Sequence, residues 1–256
     1  MPALHVSYQY PHVRRCFAVT YGNRTVSETS FQRNALRRAY AYCSIFPSNY
    51  PLDRKQLILL WMAEGFLEHH SLGAKEAEDI GDEFFVELIS RSLIQRSNDD
   101  TDGEKFAMHD FMSDLSGFVS GTSCCQLEYG SSISKNVRHL SFDREKHDIS
   151  RNCEIFQDFK CLRSFLPIGP LWGQNRLSRQ VVAGLLPTLN SLRVLSLSKY
   201  RDVTKLPDSL GNLTQLRYLD FSNTGIKSFP NTTCNLYNLQ TLILSYCYCL
   251  IDLPIP

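Results

Sequence analysis

Met108, His109 and Asp110 lie where a predicted strand runs into a predicted helix, within the stretch EKFAMHDFMSDL of residues 104–115. A histidine at such a corner can donate a hydrogen bond to a phosphate, bind a metal or simply pack, because imidazole has two nitrogens and titrates near neutral pH. The carboxylate of Asp110 could cap the helix that follows by accepting from its free amides. The local sequence leaves these roles open.

Cysteine and histidine pairs and motifs elsewhere in the sequence do not indicate a metal or catalytic site. The close pairs are Cys124–Cys125, Cys247–x–Cys249 and His69–His70, and none is followed by a second pair at zinc-finger spacing. The chain also lacks a GxSxG elbow, an HExxH motif, a GxxxxGK(S/T) loop and an acidic magnesium-binding strand. We therefore predict a non-enzymatic chain without a metal and without a cofactor of its own.

Helical periodicity dominates the first half of the chain. Asp53 precedes a run of apolar residues at helical spacing that should stop at Gly65. A second amphipathic helix is predicted over residues 75–91, and Trp61, Phe84 and Phe85 on these two helices are predicted to be core residues rather than site residues.

A hairpin and a third helix follow. Residues 93–97 and 104–109 alternate around a polar loop that contains a glycine, so they should pair as two antiparallel strands. A helix from Asp110 comes next. Helices followed by a two-stranded wing and a further helix form the order of a winged-helix domain, which we place at residues 1–125.

A winged helix can bind DNA through its third helix, but the charges argue against that function here. The helix predicted over residues 75–91 carries six acidic and two basic residues. Such a face repels phosphate, and the net charge of +1 supplies no field that would attract nucleic acid. We predict no DNA partner and, since no apolar run is long enough, no transmembrane segment.

The second half contains an internal repeat. The segments LRVLSL, LRYLDF and LQTLIL start at Leu192, Leu216 and Leu239, at spacings of 24 and 23 residues. This is the period of leucine-rich repeats, in which stacked units build a continuous core. Weaker copies start at Val137 and Leu162, the latter broken by Pro167.

The repeats complete an α+β chain in which a winged-helix domain precedes a leucine-rich-repeat α/β solenoid. We place a connector at residues 126–136 and about five repeats at residues 137–256.

The concave face of the repeats is a candidate partner surface. Alternation along the strands predicts that ten side chains project outward from this face. Tyrosine and arginine are enriched at binding surfaces, although an ordinary solvated face explains the pattern equally well. The residues are Arg193, Ser196, Lys199, Arg217, Tyr218, Asp220, Asn223, Thr241, Ile243 and Tyr246.

Four stretches together resemble a known family. They are AYCSIFPSNYPLDRKQLILLWMAEGFL (41–67), MHD (108–110), VRHLSF (137–142) and LPDSLGNLTQLRYLDFSNTGIKSFP (206–230). In combination they resemble plant intracellular immune receptors of the nucleotide-binding, leucine-rich-repeat class, the NB-ARC/LRR disease resistance proteins. The resemblance covers nearly the whole chain.

The resemblance implies a role for each part. The winged helix would belong to a switch controlled by ADP and ATP, with His109 of the Met108–Asp110 motif meeting the β-phosphate of ADP. The partners would be an upstream nucleotide-binding domain of the same receptor and a pathogen effector or guarded host protein. The repeats would sense that effector and keep the switch closed, and the location would be cytoplasmic.

One segment departs from the family pattern. Residues 14–18 (RRCFA) resemble residues 37–41 (RRAYA), and family members run a single such segment into the Tyr42–Cys43 pair. We therefore predict that residues 19–41 are an insertion, such as a retained intron.

Three other readings remain open. A stand-alone repeat module or decoy would bind a partner without nucleotide. An extracellular receptor would require a signal peptide, which the first residues do not resemble, and the odd number of nine cysteines favours a reducing compartment. A pseudogene product would lack a stable fold.

Overall fold

The computed structural model describes residues 26–67, 76–97, 105–127, 133–144, 159–169, 177 and 179–253. The chain forms two compact units. We call residues 1–43 and 48–119 the helical unit, and residues 44–47 and 120–256 the repeat unit. No helix among the described residues is long and apolar enough to cross a membrane.

The helical unit has the predicted winged-helix order. Its two outer strands, β1 (Leu52–Asp53) and β2 (Gln95–Arg96), pair antiparallel with the central strand β3 (Lys105–Ala107). The hairpin is confirmed, with Gln95 opposite Ala107, whereas the two-residue strand β1 was not predicted. The elements are α1 (Val26–Tyr42), β1 (Leu52–Asp53), α2 (Arg54–Glu64), α3 (Ala77–Ser90), β2 (Gln95–Arg96), β3 (Lys105–Ala107) and α4 (Asp110–Ser120).

Helix α2 begins and ends where its sequence predicts. The Asp53 carboxylate accepts from the Gln56 amide at 2.8 Å, which satisfies one of the free donors at the start of the helix. Gly65 ends the helix in the left-handed conformation, with φ of 75°, which costs glycine little.

Aromatic residues form the centre of the helical unit. Trp61 and Phe85 are fully buried, as predicted, and the Phe85 ring contacts the Phe106 ring edge to face at 4.7 Å between centroids. These contacts hold the wing strands against helix α3.

Helix α1 covers much of the segment predicted to be inserted. Ala39 and Tyr40 are fully buried, and the Tyr40 hydroxyl donates to the Met112 carbonyl at 2.7 Å. The copy at residues 37–41 therefore supplies two residues of this unit's core, whereas residues 14–18 and 19–25 lie outside the described residues. The insertion itself stays a prediction.

The described residues of the repeat unit form six parallel strands that pair in chain order. Helix α5 (Arg179–Leu185) and short 3-10 helices connect them. The strands are β4 (Cys124–Leu127), β5 (His139–Asp143), β6 (Ser164–Ile168), β7 (Val194–Ser196), β8 (Tyr218–Asp220) and β9 (Thr241–Ile243).

Two boundaries differ from the prediction. The helical unit ends at Val119 rather than at residue 125, and Cys124–Leu127 pairs with His139–Phe142 as the first strand of the repeat sheet. The proposed connector at 126–136 thus begins inside a strand. The sequence CCQL has no leucine at the first repeat position, so its pairing rather than its pattern identifies it.

Pro167 does not break strand β6. It lies opposite Phe142 in the pairing with β5, while the pairing with β7 is confined to Ser164 and Phe165. Because proline has no amide hydrogen, it can stand in a strand where that donor is not required.

The turns between repeats are closely packed at Gly211. A Cβ added there would lie 2.3 Å from the Thr232 carbonyl oxygen, whereas a Cβ at Gly184 in α5 would meet no atom of the described chain within 4 Å. The close approach of the neighbouring repeat therefore requires glycine at position 211, whereas no atom among the described residues requires glycine at position 184.

We predict that Gly211→Ala lowers the free energy of unfolding by about 1–3 kcal/mol, because the backbone at Thr232 must move. Gly184→Ala, in a helix, should be neutral or stabilising by up to about 1 kcal/mol. Denaturant unfolding of both variants measures the difference, and equal stabilities would contradict the close packing.

Candidate functional site

The predicted phosphate-sensing corner is held by its backbone. Met108 is buried, and its carbonyl accepts from the Asn49 amide at 2.9 Å. The His109 carbonyl accepts from the Ser113 amide at 2.8 Å, which is the first hydrogen bond of helix α4. His109 itself is exposed.

The capping alternative needs a correction. Asp110 is the first residue of α4, so the cap position belongs to His109, and the Asp110 carboxylate instead accepts from the Asn49 side-chain amide at 3.1 Å. Asn49 holds both sides of the corner from a left-handed conformation, with φ of 58°. Sequence reasoning missed Asn49, although asparagine is the residue most tolerant of that conformation after glycine.

The corner can therefore present a ring to another molecule. Its main chain is fixed by two hydrogen bonds, whereas the imidazole is exposed rather than packed. This arrangement suits a donor to an external acceptor better than a core histidine. Among the described residues, no group of three or more His, Cys, Asp or Glu side chains could hold a metal.

The helical unit also has an open groove of about 540 Å³. Arg54 donates to the Asp82 carboxylate at 2.8 Å and lies 5.4 Å from the centre of the Phe85 ring. The positive and negative side chains of the lining balance, so the groove has no single charge preference. It is lined by Asp53, Arg54, Lys55, Ile58, Leu59, Glu78, Asp82, Arg96 and Phe106.

On the repeat unit, the strands bring the predicted partner residues into rows. Tyr218 lies opposite Thr241, and Asp220 lies opposite both Ser196 and Ile243. The prediction that all ten side chains project into solvent is wrong for three of them.

Those three residues are buried. Ser196, Tyr218 and Asp220 are 3%, 0% and 4% exposed. The Ser196 hydroxyl donates to Asp220 at 3.1 Å, and the other Asp220 oxygen accepts from the Ser222 amide at 2.8 Å. Asp220 is thus a structural carboxylate rather than a contact for a partner.

The remaining residues of the set differ in exposure. Tyr246 is 63% exposed. The others are half-buried: Arg193, Lys199, Arg217, Asn223, Thr241 and Ile243.

Three of the predicted residues form a separate row just beyond the strand ends. Lys199, Asn223 and Tyr246 all adopt the left-handed conformation, with φ of 69°, 57° and 60°. The Lys199 amide donates to the Ser222 carbonyl and the Asn223 amide to the Ser245 carbonyl, each at 2.8 Å. We call these three residues the turn row. Left-handed backbone is costly for a bulky residue such as Tyr246, and such strain is concentrated at functional sites.

Lys199 shares its surroundings with a second cation that sequence reasoning missed. Arg144 donates to the carbonyls of Ser198 and Gly169 at 2.8 and 2.7 Å, and the Lys199 ammonium donates to Gly169 at 3.3 Å. Burial lowers the pKa of Lys199 from its ordinary value of 10.5, Arg144 lowers it further, and Asp220 opposes both. Only the position of Arg144 directly after a repeat strand could have identified it.

Comparisons with known proteins identify similar proteins for both halves of the chain. The family model "Disease resistance protein Winged helix domain" matches residues 45–116. The chain is 38% identical over 250 residues to "Putative disease resistance RPP13-like protein 1" of Arabidopsis thaliana, covering 95% of this chain and 21% of that protein.

Two further relatives are also named as disease resistance proteins. Identity is 41% over 216 residues with "Putative disease resistance protein At3g14460" of Arabidopsis thaliana, covering 83% of this chain and 15% of that protein. It is 36% over 214 residues with "Disease resistance protein RGA2" of Solanum bulbocastanum, covering 83% and 19%. The chain thus spans about a fifth of the length of these relatives, or less.

A solved structure of a leucine-rich-repeat protein, LIC12759 of Leptospira interrogans, is also similar. It matches 55% of this chain and 51% of its own, at 16% identity and a TM-score of 0.28. A score this low supports no argument, and the repeat fold rests on the strand pairing instead.

We predict that the pKa of Lys199 lies below 10.5, the ordinary lysine value. The measured quantity is the pH at which the rate of its reaction with an amine reagent is half of the maximum. Asp220→Asn should lower this midpoint further, because the carboxylate favours the charged ammonium, and Arg144→Gln should raise it. Mass spectrometry of the labelled peptide gives the midpoint. Asp208→Asn, at an exposed carboxylate, is the control, and equal midpoints in all four proteins would refute this electrostatic account.

Proposed function

Because the chain belongs to the plant NB-ARC/LRR disease resistance proteins, we propose that it forms part of a receptor switched by nucleotide and triggered through its repeats. The helical unit would supply one contact to the nucleotide, and the repeat unit would supply contacts to protein partners. The chain itself carries no reaction in this proposal, since the matched domain is a winged helix. The location proposed is cytoplasmic.

The exposed His109 on a fixed backbone is the observation that carries the nucleotide role. An imidazole N–H can donate to a β-phosphate oxygen of ADP. The contact would stabilise the ADP-bound, resting form relative to the ATP-bound form, because only interactions that differ between two states shift their populations.

One histidine cannot hold a nucleotide alone. Phosphates are normally cradled by the amides of a glycine-rich loop at the start of a helix. In the proposed receptor the upstream nucleotide-binding domain supplies that loop, and ADP or ATP is the cofactor of the whole protein rather than of this chain.

The turn row is the part of the repeat unit that best suits a protein partner. Lys199, Asn223 and Tyr246 provide a cation, an amide and an exposed aromatic ring at one place in successive repeats, and the main-chain amides of Lys199 and Asn223 are bound to the next repeat. An effector or a guarded host protein would bind there. Contacts of the repeats with the rest of the receptor would keep the switch closed until that partner binds.

The nucleotide proposal predicts that His109→Ala in the receptor produced from the native transcript reduces co-purified ADP at least tenfold, because a hydrogen bond to the phosphate is lost. The fold should survive, since the ring is exposed. Chromatography of released nucleotide measures the effect, with Asp114→Asn, an exposed position on α4, as control. Unchanged ADP content would disprove the role of His109, and binding of partners without any nucleotide would favour a stand-alone repeat module.

The partner proposal predicts a difference between two exposed tyrosines. Tyr246→Ala should reduce recovery of a co-purifying partner about tenfold or more, as for aromatic residues at the centre of interfaces. Tyr237→Ala is a matched control, because Tyr237 is 75% exposed but lies outside the turn row. Quantitative mass spectrometry of both pull-downs decides, and equal recovery would remove the turn row from the interface.

A further inference from the structure

Lys199 of the turn row shares a hydrogen-bond acceptor with a second cation. The Lys199 ammonium donates to the Gly169 carbonyl at 3.3 Å, and Arg144 donates to the same carbonyl at 2.7 Å. Arg144 is 5% exposed, and its other terminal nitrogen donates to the Ser198 carbonyl at 2.8 Å. Two positive groups therefore converge on neutral carbonyl oxygens.

The carboxylates near Lys199 are used elsewhere. Asp220 attracts the ammonium, but it is 4% exposed and both of its oxygens already accept hydrogen bonds. The Asp143 carboxylate lies close to Gly169. In the part of the chain that the structure describes, the ammonium donates to the Gly169 carbonyl and forms an ion pair with neither carboxylate. Since an ammonium carries three hydrogens, Lys199 can donate to a further acceptor.

Burial makes the positive charge of Lys199 costly. Loss of hydration is the first cause that lowers its pKa, Arg144 is the second, and Asp220 opposes both. Lys199 is already half-buried, so a partner that covers the turn row removes more of its hydration. A cation that loses water without gaining an anion is strongly unfavourable. A neutral or basic partner surface would add to this cost, whereas a carboxylate would offset it.

The surroundings of Lys199 favour a single acidic side chain over a polyanion. The net charge of +1 supplies no long-range attraction for nucleic acid. Lys199 is the charged member of the turn row, since Asn223 carries an amide and Tyr246 a phenol ring. Such a row matches one carboxylate that is flanked by polar and aromatic contacts.

We propose that the protein partner of the turn row presents an aspartate or glutamate side chain to Lys199, and that Asn223 and Tyr246 contact the residues around that side chain. This inference rests on the proposed partner role of the turn row and adds the chemical group that is recognised there. The carboxylate would form a charge-assisted hydrogen bond with the ammonium.

A defined acidic peptide tests this preference on the whole chain. Acetyl-hexaglutamate should raise the midpoint of the amine-labelling profile of Lys199 by about half a pH unit or more, because a bound carboxylate favours the charged amine. Acetyl-hexaglutamine is the neutral control, and inorganic phosphate is the alternative anion. Lys227, an exposed lysine outside the turn row, is the internal reference.

A rise that is confined to Lys199 and to hexaglutamate supports the proposal. An unchanged midpoint with hexaglutamate overturns it. An equal rise with phosphate also overturns it, because the site would then accept any anion, and so does an equal rise at Lys227, because the peptide would then act on lysines in general.

Two substitutions extend the test to the partner itself. In the pull-down described for Tyr246, Lys199→Gln should reduce recovery of the partner about tenfold, because the buried carboxylate loses its cation. Lys199→Arg keeps the charge and should remain within about threefold of the unsubstituted chain.

The same pull-down separates two kinds of failure. If Tyr246→Ala lowers recovery but Lys199→Gln does not, the turn row remains an interface and the carboxylate preference is wrong. If neither substitution lowers recovery, the turn row is not the interface, and the partner proposal fails together with this inference.

Discussion

Each leucine of the repeat unit requires a neighbouring repeat for its burial. Leu195 and Leu219 lie in register in adjacent strands and are fully buried, whereas their partner Leu242, on the last described strand, is 40% exposed. The backbone follows the same rule, because the amides of one strand bond to carbonyls of the strand before it and of the strand after it. Burial and hydrogen bonding thus proceed together from one repeat to the next, as in other stacked arrays.

This stacking decides where function can lie. Polar side chains within the strands are hydrogen-bonded by neighbouring residues. The Asp220 carboxylate accepts from the Ser196 hydroxyl and from the Ser222 amide, and a partner could not bind it without breaking those bonds. Residues at the turns differ in this respect. The amides of Lys199 and Asn223 are bound to the next repeat, and the Tyr246 side chain is 63% exposed, so that ring is accessible to a partner in a way that Asp220 is not.

The sequence predicts periodic features well and long-range contacts poorly. The repeats, the hairpin and the two ends of α2 follow from local patterns, since the same spacing recurs or a capping residue stands at the boundary. Strand β4 was missed because its sequence lacks the repeat leucines. Alternation along the strand predicts the face of the sheet on which Tyr218 lies but not that its side chain is buried. The contact of Asn49 with Asp110 joins residues 61 positions apart, which no local pattern predicts.

The two similar copies at residues 14–18 and 37–41 are not equivalent for the fold. The second copy provides Ala39 and Tyr40, both fully buried, and the Tyr40 hydroxyl joins α1 to the Met112 carbonyl. Without residues 19–41, the first copy would place Cys16 and Phe17 at those positions. Phenylalanine keeps the ring but loses the hydroxyl, at a cost of about 0.5–1.5 kcal/mol, and cysteine adds a sulfur atom where alanine already fits. A chain lacking the segment would also place Pro11 at the position of Asn34, in the interior of α1, where proline breaks a helix. Such a chain could build only the part of α1 that follows this position, with a weaker tie to α4 and a more crowded core.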